Sequence, residues 1–184
     1  TSIVTYFITL AILGSTPYAQ REISYVKDDK KKCSILFWEL VFFRMITVLV
    51  SCVLYGGVIF SSNHERTLYL IQGLNIIAVA FDITWFFQGL EEFKKVVIRN
   101  TIVRILNIVL IFVAVKKEED LWKYVLIITL LTVIGNISIW GCMNKYLVKI
   151  SIHELNIKKH VKGIWQLFLF TIAYKIYSVL DKTM

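Results

Sequence analysis

Five long apolar runs, residues 35–60, 68–90, 96–115, 121–143 and 163–180, alternate with short polar gaps, and basic residues crowd into every second gap. Each run is close to the about 20 residues that an α-helix, rising about 1.5 Å per residue, needs to cross a bilayer. The runs are apolar on all sides, whereas a helix on a soluble core keeps one polar face. The apolar share of the chain, 57%, exceeds the roughly 45–50% of soluble domains. A soluble bundle of 184 residues has too much surface to hide five such helices. The sequence therefore predicts an all-α fold, a polytopic transmembrane helix bundle of about five full spans plus a truncated one.

Residues 1–14, TSIVTYFITLAILG, are apolar but short of a span, and no basic segment precedes them as in a signal peptide. They read as the tail of a further helix, and the run over 163–184 reads as cut short. The expectation is a fragment, 1–184, of a single membrane domain. Cys33, Cys52 and Cys142 form no C-x-x-C or metal-ligand spacing and read as packing residues.

Thirteen Lys and Arg lie in the gaps 15–34 (Arg21, Lys27, Lys30, Lys31, Lys32), 91–99 (Lys94, Lys95, Arg99) and 144–162 (Lys145, Lys149, Lys158, Lys159, Lys162). The intervening gaps hold Arg66, Lys116 and Lys117. The positive-inside rule then puts the basic gaps in the cytoplasm. The net charge of +8 is spread over short connections and not along one groove-facing element, so anionic lipid headgroups, not nucleic acid, are the expected partners. The outer links at 61–67 and 116–120 are short, which predicts antiparallel neighbours. The segment ISIHELNIKKHVKG is compatible with a helix lying on the inner surface. Trp38, Trp85, Trp122, Trp140 and Trp165 fall near span ends and read as interface anchors.

Ionisable groups within the runs each need a reason, because insertion of a charge at bilayer depth costs at least about 2.5–3.5 kcal/mol. Arg44, Asp82 and Arg104 sit roughly 12, 10 and 12 Å from the inner ends of three consecutive runs at the helical rise. Glu39 and Gln88 lie nearer the inner mouth. Three readings are open: a self-satisfied network, arginines that snorkel to the interface, or a wet cavity open to the cytoplasm. Two guanidiniums against one carboxylate suit an anionic ligand, since arginine matches phosphate oxygens two at a time. Asp82 alternatively takes a coupling proton or cation. Asn75, Asn107, Asn136, Thr129 and Thr132 read as glue between helices, and Gly56, Gly57, Gly73, Gly89 and Gly135 as points of close approach. Asp181 and Lys182, with Lys175, face a bundle or cavity. The candidate ligand-binding set is Arg44, Asp82, Arg104, Gln88, Asp181 and Lys182.

No G-x-S-x-G, H-E-x-x-H, phosphate-binding loop or dinucleotide turn occurs, so no catalytic residue, metal or cofactor is expected. His64, His153 and His160 all fall in gaps. Asp28 and Asp29 form an adjacent carboxylate pair, but Lys30, Lys31 and Lys32 compete for them.

Three stretches carry a family resemblance: REISYVKDD at 21–29, DITWFFQGLEEFKK followed by VVIRN at 82–100, and VLDKTM at 179–184. In order and spacing they resemble the bacterial polysaccharide flippases, the Wzx-type branch of the multidrug/oligosaccharidyl-lipid/polysaccharide exporter superfamily. The resemblance implies about twelve helices in two lobes around a cleft, with this chain running from the second helix into the seventh. It further implies an inner-membrane protein that carries polyprenyl-diphosphate-linked oligosaccharide outward for O-antigen or capsule synthesis, with membrane lipids and polysaccharide polymerase machinery as partners, and no enzyme activity. The alternative is a drug or cation antiporter of the same superfamily. The chain departs from the family pattern in having Gly141 where a Pro often stands, and no Pro in LFLFTIAY at 167–174, which leaves the bending of those two helices open.

Overall fold

The computed structural model describes residues 2–61, 66–117 and 120–183, with side chains for 4–59, 68–117, 120–151 and 153–170. Among the described residues, eight α-helices follow one another: α1 (Ser2–Ile12), α2 (Ser15–Val26), α3 (Lys30–Ser61), α4 (Arg66–Ala80), α5 (Thr84–Gly89), α6 (Phe93–Ala114), α7 (Leu121–Ser138) and α8 (Lys158–Thr183). Two 3-10 segments, Ile139–Lys145 and Ile152–Glu154, lie between α7 and α8. The fold is the all-α bundle expected. Among the described residues, Lys30–Ile59, Leu68–Gly89, Phe93–Ala114 and Leu121–Lys145 are long and apolar enough to cross a membrane.

Two expected spans are not continuous α-helices. The run over 68–90 breaks at 81–83, between α4 and α5, without a proline. The run over 121–143 tightens into a 3-10 helix from Ile139, so this stretch changes geometry although Gly141 replaces the family's proline. The gap at 15–34 holds α2, which is packed into the bundle: Ser15, Tyr18, Ala19 and Ile23 are buried. The inner-surface helix expected over 150–163 is instead a 3-10 turn and the first turns of α8.

Sharp corners have local causes. Leu13 and Gly14 take φ of 44° and 71° between α1 and α2. Gly14 is suited to that left-handed backbone, and a Cβ there would lie 2.7 Å from the Phe168 backbone nitrogen. Asp29 starts α3 by accepting the Lys31 and Lys32 N–H groups at 3.1 Å on one carboxylate oxygen. Bonds from the Lys32 backbone and side chain hold its carboxyl below the usual carboxylate range. The carboxylate pair is thus half spent on a helix cap.

α1 packs on α3 and α4, α4 on α7, and α7 on α6, while α2 packs on α3, α5 and α8. One core, with Val4, Ala11, Val48, Tyr55, Ile59 and Ile76, lies among α1, α3 and α4. The other is aromatic: Phe37 stacks on Trp85 at 5.6 Å and meets Phe86 edge-on at 4.8 Å, with Phe87, Trp140 and Tyr146 around them. Trp85 is therefore core and not an interface anchor, and Trp140 packs against the same cluster. Trp122 and Trp165 are exposed. The three basic connections meet at one end of the molecule, joined by Lys27–Glu91 at 2.9 Å, Lys31–Glu154 at 3.1 Å and the Tyr146 hydroxyl on Glu92 at 2.9 Å.

Candidate functional site

The level at which the sequence places Arg44, Asp82 and Arg104 holds two separate polar arrangements. The first closes the break between α4 and α5. Helix ends leave carbonyls and N–H groups without partners, and in lipid those must be met inside the protein. Arg44 donates to the Asp82 carbonyl at 2.9 Å and to the Ser15 and Thr16 hydroxyls at 2.8 Å each. Its guanidinium also lies 5.7 Å from the Trp85 ring centre. The Trp85 indole donates to the same Asp82 carbonyl, and the Trp140 indole to the Phe81 carbonyl at 2.8 Å. The Asp82 carboxylate accepts the Thr84 N–H at 3.0 Å and hydroxyl at 2.7 Å, at the start of α5. Arg44 is 2% exposed. It lines neither of the two grooves described below, and its bonds go to a carbonyl and two hydroxyls, which among the three open readings is nearest to a self-satisfied network.

The second arrangement involves Arg99, which the sequence reading left in a cytoplasmic gap. Its guanidinium donates to Asn136 Oδ1 at 3.1 Å, and its other two nitrogens are buried with no hydrogen-bond partner among the described residues. The Asp82 carboxylate is near enough to act on it electrostatically. Gly135 makes the room: a Cβ there would meet Val103 at 2.7 Å and the guanidinium at 3.6 Å. Arg104, by contrast, is exposed. Five residues at about 100° each put it roughly 140° around α6 from Arg99, so only one of the two arginines faces α7.

Arg99 lines a groove of 470 Å³ between α6 and α7, with Ile102, Leu106, Leu131 and Ile134 along its walls and Lys95 at its basic end. Lys95 is held there by the Tyr146 hydroxyl and by Glu92 at 3.2 Å. The Tyr146 hydrogen bond, and then Lys95, keep the Glu92 carboxyl below its usual range. A second groove of 670 Å³ lies at the same end, between Trp38 and Phe42 of α3 and the 143–155 connection. Gln88 bonds to Gln20 and ties α5 to α2. Asp181 and Lys182 lie outside the described side chains.

Of the expected glue residues, Asn75, Thr129 and Asn136 join helices, whereas Thr132 donates to the Ile128 carbonyl of its own helix and the buried Asn107 Oδ1 has no hydrogen-bond partner among the described residues. Asn75 donates to Thr129 at 3.0 Å, and Asn136 to the Ala78 carbonyl at 2.8 Å, both joining α4 to α7. Gly73 and Gly89 sit against Tyr55 and Ile23, whereas Gly56 and Gly57 face open space.

A third cluster was not legible from spacing. Glu39 is 0% and His160 2% exposed. Glu39 accepts from His160 Nε2 at 2.8 Å, Lys159 Nζ at 2.8 Å and the Asn156 N–H at 2.7 Å. The Tyr18 hydroxyl lies 2.9 Å from His160 Nδ1. Glu39 and His160 are 121 positions apart. The one sequence signal was an acid inside an apolar run.

The chain matches, over residues 1–184, the family model described as polysaccharide biosynthesis protein. It is also similar to a Shigella dysenteriae protein named "Putative O-antigen transporter", 28% identical over 171 residues, which is 90% of this chain and 42% of that protein. The chain thus spans less than half the length of the curated relative it matches. No solved structure matches it. With helices long and apolar enough to span a membrane and a family match over its whole length, the chain belongs to the polysaccharide biosynthesis protein family.

Proposed function

We propose that this chain is part of a flippase that carries polyprenyl-diphosphate-linked oligosaccharide from the cytoplasmic to the outer face of the bacterial inner membrane, with its basic end in the cytoplasm. The family and the transporter name of the relative support the transport reading. One geometric observation carries the cargo: the α6–α7 groove has a guanidinium with two unpartnered nitrogens at its base and apolar walls beyond. That is the complement of an anionic head on a long apolar tail. Buried N–H groups left unmade cost about 1–3 kcal/mol each, and phosphate oxygens are strong acceptors for them.

Within the reading, the diphosphate engages Arg99, and the exposed Arg104 extends the same helix's positive charge. The sugars pass through a wet cleft where their hydroxyls keep partners, by alternating access of two lobes. No bond is broken. Asp82 is committed to Thr84 here, which disfavours the antiporter alternative that needs a free acid.

The test is export of lipid-linked glycan in a flippase-null strain carrying the full-length protein. Arg99→Gln retains a donor for Asn136 and removes the charge. Export at about a tenth or less of wild type is expected, with unchanged protein level, since loss of a charge-assisted bond of about 1.5–3 kcal/mol exceeds the 1.4 kcal/mol of a tenfold effect. Normal export in Arg99→Gln would remove Arg99 from the cargo path.

A further inference from the structure

The Tyr18–His160–Glu39 cluster has a property that the anion site lacks: it has a place for one more proton. A carboxylate only accepts hydrogen bonds, so His160 Nε2 carries a hydrogen in either charge state. Nδ1 is different, because its partner is a hydroxyl. The Tyr18 O–H donates to a bare Nδ1 or accepts from a protonated one, at the same 2.9 Å separation. The cluster therefore gains a proton at Nδ1 without losing a contact. Imidazole is the side chain whose ordinary range of proton exchange lies near neutral pH, while burial and the nearby Glu22 push the Tyr18 phenol up and keep it protonated.

The position of the cluster gives the proton leverage. Tyr18 is on α2, Glu39 on α3, and His160 and Lys159 on α8. The same seam is closed by small residues: a Cβ at Gly163 would lie 2.5 Å from Tyr18 Cε2, and Gly14 meets the Phe168 backbone. We propose that His160 Nδ1 is a proton-binding site and that the proton it takes fastens α8 to α2 and α3. Protonation turns the His160–Glu39 bond into an ion pair in a dry setting, where attraction is least screened. Lys159, half exposed, shares Glu39 and faces water, so it is free to swing away. The other charges facing the site are Arg21, 5.4 Å from the Tyr18 ring centre, and Glu22, which pairs with Arg21 at 2.9 Å. Nearby, the Lys31–Glu154 pair links the start of α3 to the connection ahead of α8. By linkage, a proton bound better in the fastened state favours that state as pH falls and releases it as pH rises. The inference does not depend on the cargo.

The experiment uses the full-length protein in lipid nanodiscs, with native cysteines replaced and spin labels at Tyr25 and Val161, both exposed. Electron–electron distance distributions are recorded from pH 5.5 to 8.5 without substrate. In the wild type, the ratio of short to long distances rises severalfold on acidification. His160→Gln, which keeps a donor for Glu39, flattens the profile. Glu39→Gln reduces the response by removing the charge the proton meets. A wild-type ratio that does not change with pH overturns the proposal without any variant. So does a pH response that survives in His160→Gln. Loss of thermal stability in His160→Gln beside a flat wild-type profile would mark the cluster as packing only.

Discussion

Arg44 illustrates how a buried charge in a lipid-embedded helix can serve the backbone and not a ligand. Its donors meet one carbonyl and two hydroxyls, and its face meets an indole. Arg44→Ala strands those acceptors, at about 1–3 kcal/mol for each buried group left unmade. The expected outcome is a lower melting temperature and a lower steady-state level of the full-length protein, read by fluorescence-detected size exclusion after heating. Arg44→Lys should not rescue it, because a single ammonium does not reproduce a planar fork reaching three acceptors. A well-folded Arg44→Ala protein with lost export would return Arg44 to the cargo path. Sequence depth correctly put Arg44 and Asp82 at one level. Depth does not give direction, however. Arg99 and Arg104 differ by about 140° of helix rotation, and only the packing of α6 on α7 decides which one is covered.

The same limit appears at the scale of elements. Four of the apolar runs, over 35–60, 68–90, 96–115 and 121–143, were readable as helices long enough to cross a membrane, because about 20 apolar residues leave few alternatives in lipid. The break at 81–83 was not, since no Pro or Gly marks it. It is held open by side chains from elsewhere in the sequence: Arg44, Trp140 and, locally, Trp85 and Thr84. Trp85 and Trp140 read as interface anchors for the same reason, being near span ends by count yet turned inward by tertiary contacts. Asp82, just ahead of α5, accepts from the Thr84 N–H and hydroxyl, a role in which an uncharged amide oxygen can replace it. Asp82→Asn keeps the acceptor for Thr84 and should leave stability and export near wild type. Asp82→Ala should cost about 1 kcal/mol, in the range of a lost intramolecular hydrogen bond, seen as a lower midpoint in denaturant. An Asp82→Asn protein that folds but no longer exports would instead support a coupling proton or cation at that carboxylate.

For the whole molecule, the decisive asymmetry is that the three basic gaps converge on one end, as alternating spans require. The ion pairs there, Lys27–Glu91 and Lys31–Glu154, are exposed and worth at most about 1 kcal/mol each, so they do not cause the convergence. Antiparallel packing does, with the aromatic core beneath it. Both grooves lie toward this end, and so does the His160 cluster. A cytoplasmic basic end would therefore put the proposed anion-binding groove on the side where the proposed lipid-linked cargo arrives, and the proposed α8 fastening beside it. Reversed orientation would put both on the side of release, and the proposed direction of transport would fail with it. Single cysteines at Lys32 and Lys117, in a cysteine-free background, decide between these. In spheroplasts, a membrane-impermeant maleimide should label Lys117→Cys at once and Lys32→Cys only after permeabilisation. The opposite pattern would overturn the orientation read from the basic residues, and with it the inward-facing role of the α6–α7 groove.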